Sequence, residues 1–262
     1  MSGDGLRAGD RLYRVADGDR IVHAVLRAAE LIELDGDVFD APRLAAPIPG
    51  GLAAVRVLAP VQPSKIVAVG LNYRDHAAEQ GKPLPSEPLI FLKPSTAVVG
   101  PGDAIRLPPG AGRVDHEAEA GIVIRRRTFR ADAAHAASCV LGVTCVNDVT
   151  ARDIQRRENR YTRAKGFDTF APVGPCVAIG LDSGDLAVEG WVNGERRQAS
   201  STRQLIFPVA ELVAFISKVM TLLPGDIIST GTPAGIGALA AGDTVMVRVA
   251  GVGELENPVT DV

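Results

Sequence analysis

The segment Val114-Asp-His-Glu-Ala-Glu-Ala-Gly-Ile-Val-Ile124 decides how this chain is read. Two carboxylates, Glu117 and Glu119, stand one residue apart and lead directly into an apolar run. Alternate side chains of a strand share a face, so both point to one side, where they can hold a hard cation between them. Taken alone, the pattern suits an exposed edge strand with two solvated glutamates better than a metal site. The choice between a metal site and a solvated edge rests on the rest of the chain.

Working outward, strand signals dominate. Before it lie Arg11–Val15, Ile21–Leu26 and Leu31–Leu34, punctuated by Asp17-Gly18 and Asp35-Gly36. Asp-Gly between apolar stretches is a hairpin signal, and it predicts a small β-rich N-terminal domain over residues 1–60. Pro42, Pro47, Pro49, Gly50 and Gly51 predict a linker that ends near Pro60 or Pro63. Over residues 61–262 strands are expected at Ile66–Gly70, Leu89–Leu92, Glu119–Ile124, Asp226–Thr230, Thr244–Val249 and Gly253–Leu255, with helices at Tyr73–Gln80, Thr150–Arg160 and Pro208–Leu222. Strands outnumber helices and do not alternate with them, which favours an α+β, mostly-β roll over a doubly wound or barrel α/β fold.

Composition excludes several classes of function. At 262 residues the chain can bury a sizeable core. A net charge of −3 provides no overall basic field for a nucleic acid or an anionic membrane. Arg125-Arg-Arg127, the densest basic run, reads as a solvated turn. The three cysteines, Cys139, Cys145 and Cys176, form no CxxC pair and suggest neither a disulfide framework nor a zinc knuckle. The N-terminus has no long apolar segment and every other apolar run is soon broken, so a cytoplasmic enzyme is expected.

Four further segments carry chemistry. Asp148 ends the apolar run Cys139–Val146 where strand gives way to helix, and reads either as a helix N-cap or as a metal ligand. Lys165 stands beside Gly166 and Phe167. Thr230-Gly-Thr-Pro-Ala-Gly-Ile-Gly237 is a glycine-rich turn whose backbone N–H groups at Gly231, Gly235 and Gly237 can approach an anion, although it lacks the ending of a P-loop. His76 and Glu79 fall at i and i+3 of an expected helix, where the carboxylate can orient the imidazole or form no more than a surface pair.

Together these segments resemble the fumarylacetoacetate hydrolase family. The resemblance lies in GLNYRDHAAE (70–79), FLKPSTAVVGPGD (91–103), VDHEAEAGIVI (114–124), VNDVTARDIQ (146–155), AKGFDTFAPVGP (164–175) and LLPGDIISTGTPAGIG (222–237), in family order. It implies a mixed β-roll catalytic domain in which Glu117, Glu119 and Asp148 match three carboxylate ligands for Mg²⁺, or Mn²⁺ or Ca²⁺. Lys165 matches the active-site lysine, and His76 with Glu79 the general base and its partner, on a segment that in relatives can close over the site. Lys93, Ser95, Gln155 and Thr232 fall in substrate-contacting motifs. The family's animal namesake has a further carboxylate ligand from its N-terminal part, for which this chain has no match.

The implied substrate is a small 2-oxo acid chelated by the metal. The expected reaction is C–C hydrolysis of an acylpyruvate-type diketone, with 2-hydroxyhepta-2,4-diene-1,7-dioate isomerisation or decarboxylation, or oxaloacetate decarboxylation, as alternatives. An alternative of another class, a non-catalytic binding module on the same fold, leaves the cost of burying these charges unexplained. Substrate identity is expected to reside in residues 81–88 and 158–163. Arg157, Arg160 and Arg163 read as partners for a second carboxylate or as solvated helix-end charges. The resemblance, together with the apolar stretches 170–177 and 209–220, points to a homodimer built on the larger domain.

Overall fold

A computed structural model describes residues 5–262. Strand accounts for 43% of the residues and helix for 18%, the mostly-β balance expected of the sequence. One 12-stranded mixed sheet organises the fold. In spatial order it runs Arg43–Pro47, Glu30–Asp35, Arg20–Arg27, Arg11–Asp17, Ala171–Ile179, Val140–Asn147, Ala118–Ile124, Ile227–Ser229, Lys65–Gly70 and Leu89–Pro94. Arg56–Leu58 and Val98–Val99 pair off this path. The N-terminal hairpins are hydrogen-bonded into this sheet, with Arg11 opposite Ala178 and Leu12 opposite Val177.

The stretch expected as a linker contains two strands, Arg43–Pro47 and Arg56–Leu58. Its prolines misled the reading because Arg43–Pro47 is the outermost strand, where a missing N–H costs no ladder bond. The three expected helices form at Arg74–Glu79, Arg152–Glu158 and Val209–Val219. Two short helices, Ala133–Ala136 and Tyr161–Lys165, were not anticipated.

A five-stranded sheet, ordered Glu195–Ser201, Ala187–Val192, Thr244–Val249, Gly253–Asp261 and Ile105–Leu107, packs on the large one. Ala118, Ala120 and Ile122 pack in one core with Val188, Val247, Val249 and Leu255 of the second sheet. Val123, on the opposite face, joins a separate core with Val146, Val173 and Ile227. The strand is thus buried on both faces, which removes the solvated-edge reading of Glu119. Among the described residues no helix is long and apolar enough to cross a membrane.

Candidate active site

Strand registers bring the chemical groups to one end of the large sheet. Ala118 pairs with Asn147 in an antiparallel ladder, so Glu117, just before one strand, and Asp148, just past the end of its neighbour, are adjacent. The backbone N–H of Asp148 donates to the Glu117 carbonyl at 2.9 Å. Glu117, Glu119 and Asp148 converge, with one carboxylate oxygen from each lying within 4.8 Å of the others, and all three are buried. Asp148 does not cap a helix: the following helix begins at Arg152 after Ala151, without a side-chain cap.

The three carboxylates are held differently. Glu117 accepts from Lys165 Nζ at 2.9 Å and from the Arg152 guanidinium. Asp148 accepts from Lys93 Nζ at 2.6 Å and from Lys165. Glu119 has no ion pair among the described residues; it accepts from the Ser229 hydroxyl at 2.6 Å and the Gly231 N–H at 2.8 Å. Electrostatics follow this division. Burial disfavours the charge on Glu117, but Lys165 and Arg152 outweigh it and lower its pKa to about 2. Burial, reinforced by the charges of Asp148 and Glu117, raises Glu119 to about 8. Burial likewise opposes the charge on Lys165, yet Asp148 and Glu117 prevail and its pKa rises.

This donor set fits a hard divalent cation. It is all oxygen, convergent and buried, and one of its carboxylates has no cation of its own. The triad opens on a cavity of about 300 Å³ also lined by His76, Gln80, Lys82, Phe91, Arg152, Gln155, Tyr161, Lys165 and Thr232. Phe91 packs edge-on against Tyr161, with centroids 4.9 Å apart, and lies 5.1 Å beneath Lys165 Nζ. The aromatic pair gives this wall an apolar surface beside the charged floor.

His76 sits at the rim, buried, with Nδ1 2.8 Å from Glu79 Oε2. The Gln80 amide nitrogen approaches Nε2 at 2.7 Å, so Nε2 accepts and Nδ1 carries the proton donated to Glu79. Glu79 in turn accepts from the Gly235 N–H at 3.0 Å, joining this helix to the glycine-rich turn. The turn does approach anions through its backbone, but they are the protein's own carboxylates: Glu119 at Gly231 and Glu79 at Gly235. Gly237 instead pairs with His116 as a strand.

Of the residues in substrate-contacting motifs, Gln155 and Thr232 line the cavity, and Lys93 lies beneath it against Asp148. Ser95 is elsewhere, in a cavity shared with Arg14 and Leu58. The strand Leu89–Pro94 ends before it, and the short turn Ser95–Ala97 carries it away from the face bearing Phe91 and Lys93. Arg157, Arg160 and Arg163 do not line the cavity, and Arg163 pairs with Glu158 at 2.6 Å.

Sequence reasoning missed three supports. Arg152 bridges Glu117 and Asp115, the latter at 2.9 Å. Ser229 holds Glu119. Gln198 is fully buried in the second sheet: its Oε1 accepts from the Ala118 N–H at 2.9 Å, and its Nε2 donates to the Thr232 hydroxyl at 2.8 Å and the Pro233 carbonyl at 2.9 Å. Arg152 was legible from its spacing, four residues after Asp148 at the start of a helix, whereas nothing local marks Gln198.

A mostly-β fold with a buried oxygen triad at one sheet end has the form of an enzyme site, and residues 65–260 match the fumarylacetoacetate (FAA) hydrolase C-terminal family. The chain belongs to that family. It is 50% identical over 227 residues to an uncharacterized protein of Archaeoglobus fulgidus, covering 86% of this chain and 88% of that one. It is similar to the 2-hydroxyhepta-2,4-diene-1,7-dioate isomerase from Mycobacterium marinum, with a TM-score of 0.89, 43% identity and coverage of 96% and 98%. It also resembles maleylpyruvate hydrolase from Sphingobium sp. SYK-6, solved with manganese(II) and pyruvate, with a TM-score of 0.79, 30% identity and coverage of 96% and 99%.

Proposed function

We propose that this chain is a divalent-metal-dependent enzyme that hydrolyses a C–C bond in acylpyruvate-type 2-oxo acids, using Mg²⁺ or Mn²⁺. The observation that carries this reading is the buried triad of Glu117, Glu119 and Asp148 facing a cavity rimmed by the His76–Glu79 pair. A cation held there supplies electrophilic activation of a bound 2-oxo acid.

The chain's own groups do the rest. Lys165 keeps a fixed positive charge at the cavity floor, where it favours negative charge developing on the substrate's 2-oxo oxygen. His76, with Nδ1–H committed to Glu79, offers Nε2 to remove a proton from water. For a water to reach Nε2, the Gln80 amide must move aside. The oxygen of that water adds to the distal carbonyl and the C–C bond to the methylene breaks, with the proton delivered to the departing carbon. The products are a carboxylic acid and pyruvate. Phe91 and Tyr161 limit the water admitted from the opposite wall.

The similarity to an isomerase favours a second reading, in which a methylene C–H bond is broken, its proton is delivered to another carbon and no C–C bond is cut. Turnover of an acylpyruvate panel and of a 2-hydroxydienoic dioate, each with Mg²⁺, Mn²⁺ or chelator, tests the proposal. Hydrolysis releases pyruvate, whereas isomerisation leaves the mass unchanged and shifts the ultraviolet spectrum. Metal-independent turnover, or none on either class, would overturn it.

A further inference from the structure

We infer that Lys82 is the specificity residue for a second, distal carboxylate, so that the site takes dicarboxylic 2-oxo acids in preference to monocarboxylic ones; this rests on the function proposed above. Three cations line the triad's cavity: Arg152, Lys165 and Lys82. Arg152 is bound to Asp115 and Glu117, and Lys165 to Glu117 and Asp148. Lys82 alone among them has no carboxylate partner within the described residues. An adjoining cavity of about 340 Å³ shares His76, Gln80, Lys82, Arg152 and Gln155 with the first, so Lys82 stands where the two spaces meet. The other cations of that second cavity, Arg113 and Arg156, face Asp115 and Asp153.

The backbone of Lys82 is fixed. Its N–H donates to Ala77 O at 3.0 Å and the Gly81 N–H donates to Ala78 O at 3.1 Å, the paired bonds of a Schellman closure. Gly81 sits at φ 61°, the left-handed value that closure requires. The side chain therefore leaves from the end of the helix that bears His76, and not from a free loop.

Charge counting points to the same substrate class. The carboxylates Glu79, Asp115, Glu117, Glu119 and Asp148 are matched in number by Lys82, Lys93, Arg113, Arg152 and Lys165. A divalent cation leaves two positive charges uncompensated, and a 2-oxo dicarboxylate supplies two negative ones. One carboxylate is retained at the metal end, and the other reaches the cation at the mouth.

The test compares wild type, Lys82→Met and Lys82→Arg, loaded with Mg²⁺, on two acylpyruvates of equal length, one ending in a carboxylate and one in a methyl group. Binding of 2-oxoadipate and 2-oxohexanoate is measured calorimetrically in parallel. Loss of one charge-assisted contact is expected to weaken the dicarboxylates about tenfold in KM and Kd, with kcat changed less than about twofold. The monocarboxylates should be unaffected, and Lys82→Arg should retain the preference. Equal effects on both acids, or none on either, would overturn the inference. If wild type turns over neither acylpyruvate, the proposed reaction fails, and the binding arm still decides the role of Lys82.

Discussion

Glu119 differs from Glu117 and Asp148 in having hydroxyl and amide donors but no cation beside it. Its pKa of about 8 lies above the ordinary 4.5, so between those values the folded chain keeps a proton that the unfolded chain has lost. The unfolded state then binds fewer protons, and stability falls as pH rises through that window. Metal-free wild type should lose stability between pH 4.5 and about 8 relative to Glu119→Gln, and level off above it. Denaturant titrations across this range measure the difference, and parallel curves for the two proteins would contradict it. At the rim, His76→Ala should lower kcat on an acylpyruvate by ~10²–10⁴-fold while leaving metal affinity nearly intact. Glu79→Gln should fall between this variant and wild type, because the imidazole remains but loses its orienting charge. On oxaloacetate, where no attacking water is needed, His76→Ala should retain activity. Equal losses on both substrates would remove His76 from the role of base.

At the scale of elements, the site depends on a turn that shapes a carboxylate. Gly231 sits at φ 97°, and a Cβ there would lie 2.9 Å from the Asn72 Cβ while its N–H must still reach Glu119. Gly231→Ala should destabilise the fold by ~1–3 kcal/mol and weaken Mn²⁺ binding as well. Calorimetric titration separates the two effects. Lower stability with unchanged Mn²⁺ affinity would mean that the turn does not position Glu119. This scale also shows what sequence could convey. The strand carrying Glu119, the helix carrying His76 and the position of Asp148 were legible, because alternation, i to i+3 spacing and run ends are local patterns, whereas Glu117 falls just before the strand. Gln198 was not, since its bonds to Ala118 and Thr232 cross between sheets and span 80 and 34 residues. Ser95 was misplaced for a related reason: a motif places it near Lys93 in sequence, but the strand end at Pro94 turns it to another cavity.

Over the whole molecule, the edge of the large sheet opposite Arg43–Pro47 is the strand Leu89–Pro94, where Leu89 and Leu92 are 47% and 46% exposed. Leu84 in the preceding segment is 54% exposed. Apolar side chains along a free sheet edge favour covering by another surface. A homodimer is expected by light scattering at micromolar concentration, and a monomer there would contradict it. Leu89 and Phe91 of this strand also line the triad's cavity, so a dimer that covers this edge would place its interface and the site on one element. Turnover is predicted to depend on Glu117, Glu119 and Asp148 forming one cation site. The most direct measurement is Mn²⁺ binding by equilibrium dialysis on chelator-stripped protein, paired with acylpyruvate turnover on the same samples. One Mn²⁺ per chain, lost in Glu119→Gln and Asp148→Asn together with activity, is the predicted result. Full turnover in excess chelator, or unchanged Mn²⁺ binding in both variants, would contradict it.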